Sequence, residues 1–151
     1  RMADQQTTWV PTIHTIQAMA DPTPPRLPGI DPDVAARTLD HQLELLALAG
    51  TLGVPVALGT DAGCPGVLHG EAMASEIRLF LTAGFSMATV IRLASINGAR
   101  LLGLEHQWGI RAGRPARFLV ARTTPAMLPE SLHDLEVTCL DGRTCEPGSC
   151  L

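Results

Sequence analysis

The chain has 151 residues, of which 46% are hydrophobic and 17% charged, enough to bury one core and too apolar to be disordered by composition. A net charge of -4, 3% aromatic residues and no Tyr argue against a phosphate-backbone binder or a base-stacking module, so no nucleic-acid partner is expected. The longest uncharged apolar run, residues 45–58, falls short of the ~20 residues that span a bilayer, and Gly50, Gly53 and Pro55 interrupt it.

No apolar stretch follows Arg1-Met2-Ala3-Asp4, so no signal peptide is expected and the cytoplasm is the default compartment. An Arg ahead of the first Met suggests either an appended terminal residue or a chain cut from a longer one. Trp9 to Ile13 reads as a short buried strand, weakened by Pro11, which donates no ladder hydrogen bond. Residues 21–32 carry Pro22, Pro24, Pro25, Pro28 and Pro32 and read as a loop. Asp31 is a helix N-cap with Pro32 at the first helical position, and the helix runs to about Leu52 with Val34, Leu39, Leu43, Leu46 and Ala47 on one face. Val54 to Leu58 is a continuous apolar run, the pattern of a strand covered on both faces. Strand, helix and strand together form a βαβ unit.

Two helices are predicted next. One spans about His69 to Ala83 with Gly84 as its C-cap, and the other starts after Ser86 and runs to about Leu102. Beyond Gly109 the character changes: Phe118 to Val120 and the alternating Leu135 to Leu140 read as strands, and Asp141-Gly142 as a tight hairpin turn. The cysteines, Cys64, Cys139, Cys145 and Cys150, are expected to be free thiols, and the last three lack the C-x-x-C spacing of a zinc knuckle.

Asp61 stands just past the end of the apolar strand, where parallel sheets bind ligands. A carboxylate there can hold a hard or borderline cation and take a proton from water, or it can cap a helix or close an Asx-turn. His69 can contact substrate from the loop or help start the next helix, and His14 can face a strand-end pocket or lie in an ordinary loop. His69-Gly70-Glu71 fits the H-x-E half of a zinc nucleobase deaminase signature, but the P-C-x-x-C half is missing. No G-x-G-x-x-G, phosphate loop, G-x-S-x-G elbow or H-E-x-x-H is present.

Val54 to Gly63 and the ordered motifs after it, at 69–86, 94–104, 109–116 and 135–143, resemble the amidohydrolase superfamily, in particular its imidazolonepropionase-like and Xaa-Pro dipeptidase-like members. Val54 to Gly63 is similar to the eighth barrel strand, and His69-Gly70-Glu71, Glu76 and Ala83-Gly84-Phe85-Ser86 to the segment after it. Ala94 to Leu104 resembles the following helix, while Gly109 to Ala116 and Leu135 to Arg143 resemble parts of the small β-domain. Arg117 departs from the pattern, standing where the family usually has Asp.

The resemblance implies an α/β fold, the C-terminal part of a TIM-type (β/α)8 barrel plus strands of a small β-sandwich domain. Residues 1–108 would hold strands seven and eight with their helices, and residues 109–151 the C-terminal share of the β-domain. It implies a metal-dependent hydrolase of amide or other C–N bonds, on a cyclic amide or dipeptide-like small molecule, using water activated by one or two divalent ions, zinc being the expected metal. Asp61 would be a metal ligand and the proton-transferring catalytic residue, with His69 and His14 binding substrate. The family's His-x-His pair is absent: His14, His41, His69, His106 and His133 form no such pair. The isolated chain is therefore expected to be inactive. A non-enzymatic, assembly-dependent barrel remnant with an unpaired strand edge is the competing expectation, and assembly into a homo-oligomer is left open.

Overall fold

In the computed structural model of the chain, residues 1–21, 23 and 29–145 are described. Pro22, Pro24, Pro25 and Pro28 of the predicted loop, and Cys150, lie outside them. The order is α1 (Ile13–Ala20), α2 (Pro32–Thr51), α3 (Ala72–Thr82), α4 (Met87–Arg92), a π-helical turn (Leu93–Asn97) and α5 (Gly98–Leu101). Three strands follow, β1 (Phe118–Ala121), β2 (Leu135–Leu140) and β3 (Arg143–Cys145), with two short 3-10 turns between β1 and β2. Among the described residues, no helix is long and apolar enough to cross a membrane.

The predicted strand at Trp9 to Ile13 is shorter than expected. Trp9 pairs in parallel with Val56 as an isolated bridge, and Ile13 already belongs to α1. The reason is local: Pro11 has no N–H to give, and Thr12 turns the chain into the left-handed region at φ 47. His14 accordingly sits in the first turn of a helix that the sequence pattern did not reveal.

The expected strand–helix–strand unit is formed only in part: Val54 to Leu58 pairs through the single bridge residue Val56, and α1 stands between Trp9 and α2. Trp9 N–H donates to Pro55 O at 2.8 Å and Ala57 N–H to Trp9 O at 3.0 Å. In a parallel ladder alternate residues face opposite edges, so Val56 and Leu58 face away from Trp9. Asn97 Nδ2 donates to Val56 O at 2.8 Å, and Leu58 N–H donates to Leu93 O at 3.2 Å. The far edge, expected to be bare, is thus engaged by the π turn. This turn breaks the single predicted helix over 87–102 into three pieces.

α2 begins where expected, with Asp31 accepting from Asp33 N–H at 2.9 Å and Pro32 at its first position. Its buried stripe is Ala35, Leu46 and Ala49, with Leu39 and Leu43 packed against the core, whereas Val34 is 48% exposed. Three residues, 69–71, drop out of the helix predicted over His69 to Ala83, because Gly70 takes φ 87 and α3 starts only after it. Ser86 caps α4 by accepting from Thr89 N–H at 3.2 Å. Ile13, Leu46, Val56, Ile77, Phe80 and Val90 form the centre of one core, and Phe80 meets Phe85 edge to face at 5.8 Å.

The three strands form an antiparallel sheet in chain order, with Phe118 opposite Cys139 and Thr138 opposite Cys145. Asp141 (φ 53) and Gly142 (φ 78) close the β2–β3 hairpin as the sequence suggests. Arg117 pairs with Asp141 at 2.6 Å and lies over the Trp108 ring at 5.3 Å. Cys64 and Cys139 are free, but Cys145 is in a disulfide, which corrects the expectation of free thiols throughout. The sheet unit meets α3 through Arg78 and Glu130, 2.9 Å apart, and Leu132 packs against the core.

Candidate active site

Val54 to Leu58 delivers the chain to Gly59. A Cβ added at Gly59 would lie 2.6 Å from Val10 Cγ1, so glycine is what lets the two segments approach there. Two residues on, Asp61 is left-handed at φ 52, a conformation that Asp tolerates better than most residues and that recurs at functional sites. Thr60 Oγ1 accepts from Ala62 N–H at 3.3 Å, so the hydroxyl serves the local turn. The Asp61 side chain is used otherwise. Its Oδ2 accepts from Cys64 Sγ at 3.2 Å and from Thr15 Oγ1 at 3.5 Å, and among the described residues no backbone N–H donates to the carboxylate. Asp61 is exposed. The acceptor beside it pushes the Cys64 thiol above its ordinary range, by hydrogen bonding first and then by burial and charge.

His69 is exposed in the loop before α3, and its Nε2 stands 3.5 Å from the point where a Gly63 Cβ would sit. Its ring therefore lies beside the 61–64 loop. His14 is engaged with Gln17, Nδ1 to Oε1 at 3.0 Å, and lines a cleft of about 430 Å³ with Gln17, Ala18, Asp21 and Gly66. Gly66 connects that cleft to the loop carrying Asp61, while Asp61 and His69 are not among its lining residues.

Two contributors, Thr15 and Cys64, have no sequence-level role, and a third, Glu76, enters the sequence reading only as part of the motif after the strand. Glu76 is 0% exposed on α3. Its Oε1 accepts from Ile13 N–H at 2.9 Å and its Oε2 from His14 N–H at 2.7 Å. Burial pushes its carboxyl up to about 6 against the opposing pull of the two N–H donors. A signal for it exists in the sequence. Ala72, Glu76 and Phe80 recur every four residues on the buried face, and a carboxylate there needs a partner.

Among the described residues, no three of His, Cys, Asp and Glu come together to share an ion. Asp61 brings a carboxylate of the right chemistry with only Cys64 and Thr15 beside it. The residues present do not fit a complete metal site.

The Amidohydrolase family profile matches residues 14–141. Among solved structures, a Xaa-Pro dipeptidase with methionine bound in its active site has a TM-score of 0.81 and 28% identity, covering 96% of this chain and 36% of that one. An amidohydrolase has a TM-score of 0.77 and 27% identity over the same shares. A prolidase complexed with N-methylphosphonate-L-proline shares the fold, with a TM-score of 0.76, 20% identity and coverage of 96% of this chain and 36% of that one. The chain spans 36% of the length of these three structures. No curated protein matches the sequence.

Proposed function

The chain belongs to the Amidohydrolase family, and from that premise we propose that it is the C-terminal part of a metal-dependent hydrolase of amide or other C–N bonds, acting on dipeptide-like or cyclic amide substrates. The observation that carries this reading is the state of Asp61. It sits in a left-handed turn at the end of the Val54–Leu58 run, and its Oδ2 accepts from Cys64 Sγ in the same loop and from Thr15 Oγ1 on α1, with no backbone N–H of the turn bonded to the carboxylate among the described residues. In this reading residues 1–108 are the last two strands and flanking helices of a (β/α)8 barrel, and residues 109–151 are part of a small β-domain.

Asp61 would take the proton of the attacking water and pass it to the leaving nitrogen, general acid–base work within reach of one carboxylate. Asp61 would also give one ligand to a divalent ion, zinc in this proposal, the rest of the set lying outside these residues. His69, beside the same loop, and His14, at the cleft, would contact the substrate. The similarity to a Xaa-Pro dipeptidase with bound methionine makes methionyl-proline the probe of choice.

The test is turnover of methionyl-proline by the complete enzyme with Asp61→Asn. Loss of the general base is expected to lower kcat by about 10²-fold or more. Turnover equal to wild type would sink the proposal.

A further inference from the structure

α1 begins at a turn that does not cap itself. Thr12, in the N-cap position, is left-handed and its side chain makes no capping hydrogen bond. The first N–H groups of a helix need acceptors, and here those of Ile13 and His14 find both oxygens of Glu76, more than sixty positions away in sequence. An apolar residue on that face of α3 would bury at no electrostatic penalty. A carboxylate there is costly unless both oxygens are satisfied, and what it accomplishes is to fix two successive backbone units of α1.

The next residue is Thr15, 7% exposed, whose hydroxyl reaches Asp61. Cys64, the other group on Asp61, lies in the same loop as Asp61 and moves with it. Among the described residues, Thr15 is therefore the one side chain that ties the Asp61 carboxylate to a separate element. Building on the reading of Asp61 as the reacting carboxylate, we propose that Glu76 is a positioning residue for it: Glu76 clamps the first turn of α1 so that Thr15 holds Asp61 Oδ2, while Oδ1 has no hydrogen-bond partner among the described residues. Glu76 touches neither substrate nor reacting atoms in this arrangement and acts through Thr15.

The experiment is a double-mutant cycle in the complete enzyme with methionyl-proline, reading kcat and KM separately. Glu76→Gln keeps the shape of the side chain but turns an N–H group toward one of the two donors. Glu76→Gln and Thr15→Val are each expected to lower kcat about ten-fold with KM within about two-fold, since misplacement of a reacting group is felt in the chemical step. The combined variant is expected to be no slower than the slower single, the mark of two residues acting on one path. Thr15→Ser, which keeps the hydroxyl, is expected to retain wild-type kcat within about two-fold. Losses that multiply in the combined variant overturn the proposal, as does a Glu76→Gln enzyme that is less stable yet turns over normally. If Glu76→Gln is recovered only as aggregate, Thr15→Val decides alone: wild-type kcat there removes the proposal. Asp61→Asn separates the two levels. An inactive Asp61→Asn enzyme with a normal Thr15→Val enzyme strikes down the positioning role only. Full turnover by Asp61→Asn, or none by the wild type, removes the functional reading and the positioning role with it.

Discussion

At the scale of single residues, Glu76 shows how an isolated buried charge leaves a trace in pH dependence. Its carboxyl is raised to about 6 from the ordinary 4.5, so the folded chain holds the proton more tightly than the unfolded chain does. The associated stability is fully present below pH 4.5 and is lost as pH rises through about 6, a span of about 2 kcal/mol. Urea unfolding of wild type and Glu76→Gln at pH 4.5 and pH 7 measures it. The stability difference between the two is expected to shift by about that amount in favour of the variant at the higher pH, and a difference independent of pH contradicts the account. Residues differ in how far the sequence betrays them. Asp61 is legible because the run before it and the ordered motifs after it set its place. Glu76 leaves a weaker sign, a carboxylate at four-residue spacing from Ala72 and Phe80. Thr15 leaves none, because its contact depends on the left-handed Thr12 and on a loop 46 residues further on.

At the scale of elements, the π turn is the part with the most to hold. It presents Leu93 O and the Asn97 amide to the edge of the 54–58 run that Trp9 does not occupy. π-helical turns insert a residue into a helix and recur near functional sites. Asn97→Ala would leave the Val56 carbonyl, on a residue 3% exposed, without that partner. The expected cost is about 1–3 kcal/mol, the penalty of an unsatisfied buried acceptor, read as a lower urea midpoint at unchanged slope. A variant as stable as wild type would show that water takes over the carbonyl. Elements fixed by local chemistry were readable from the sequence. α2 declares itself through Asp31 and Pro32, α4 through Ser86, and the hairpin through Asp141-Gly142. The misread elements turn on backbone features that apolar periodicity does not show: Pro11 and the left-handed Thr12 end the first strand, and Gly70 at φ 87 delays α3. Past that turn the first N–H groups of α1 meet a carboxylate from α3, and the run ending in Ile13 is equally apolar as strand or as helix.

At the scale of the whole molecule, the described residues supply Asp61 and no cluster of three metal-binding side chains, and the chain spans 36% of the structures it resembles. The 151-residue chain alone is expected to bind zinc at well below one equivalent at micromolar concentrations, since a catalytic site draws on three or more protein ligands. Equilibrium dialysis with metal analysis checks this, and tight one-to-one binding would relocate the site within the chain itself. Family membership was readable because the motifs recur in order over nearly the whole length. The manner in which the pieces join was not, because it rests on pairs such as Arg78–Glu130 and Arg117–Asp141 that no local pattern specifies. α3 gives that joining a consequence. Glu76 and Arg78 are two positions apart, so they leave opposite sides of the same helix. One bears on the turn that holds Thr15, the other on the unit containing the three-stranded sheet. α3 thus stands as a crossbeam with a load at each face, Glu76 taking the first turn of α1 and Arg78 the unit that contains the sheet.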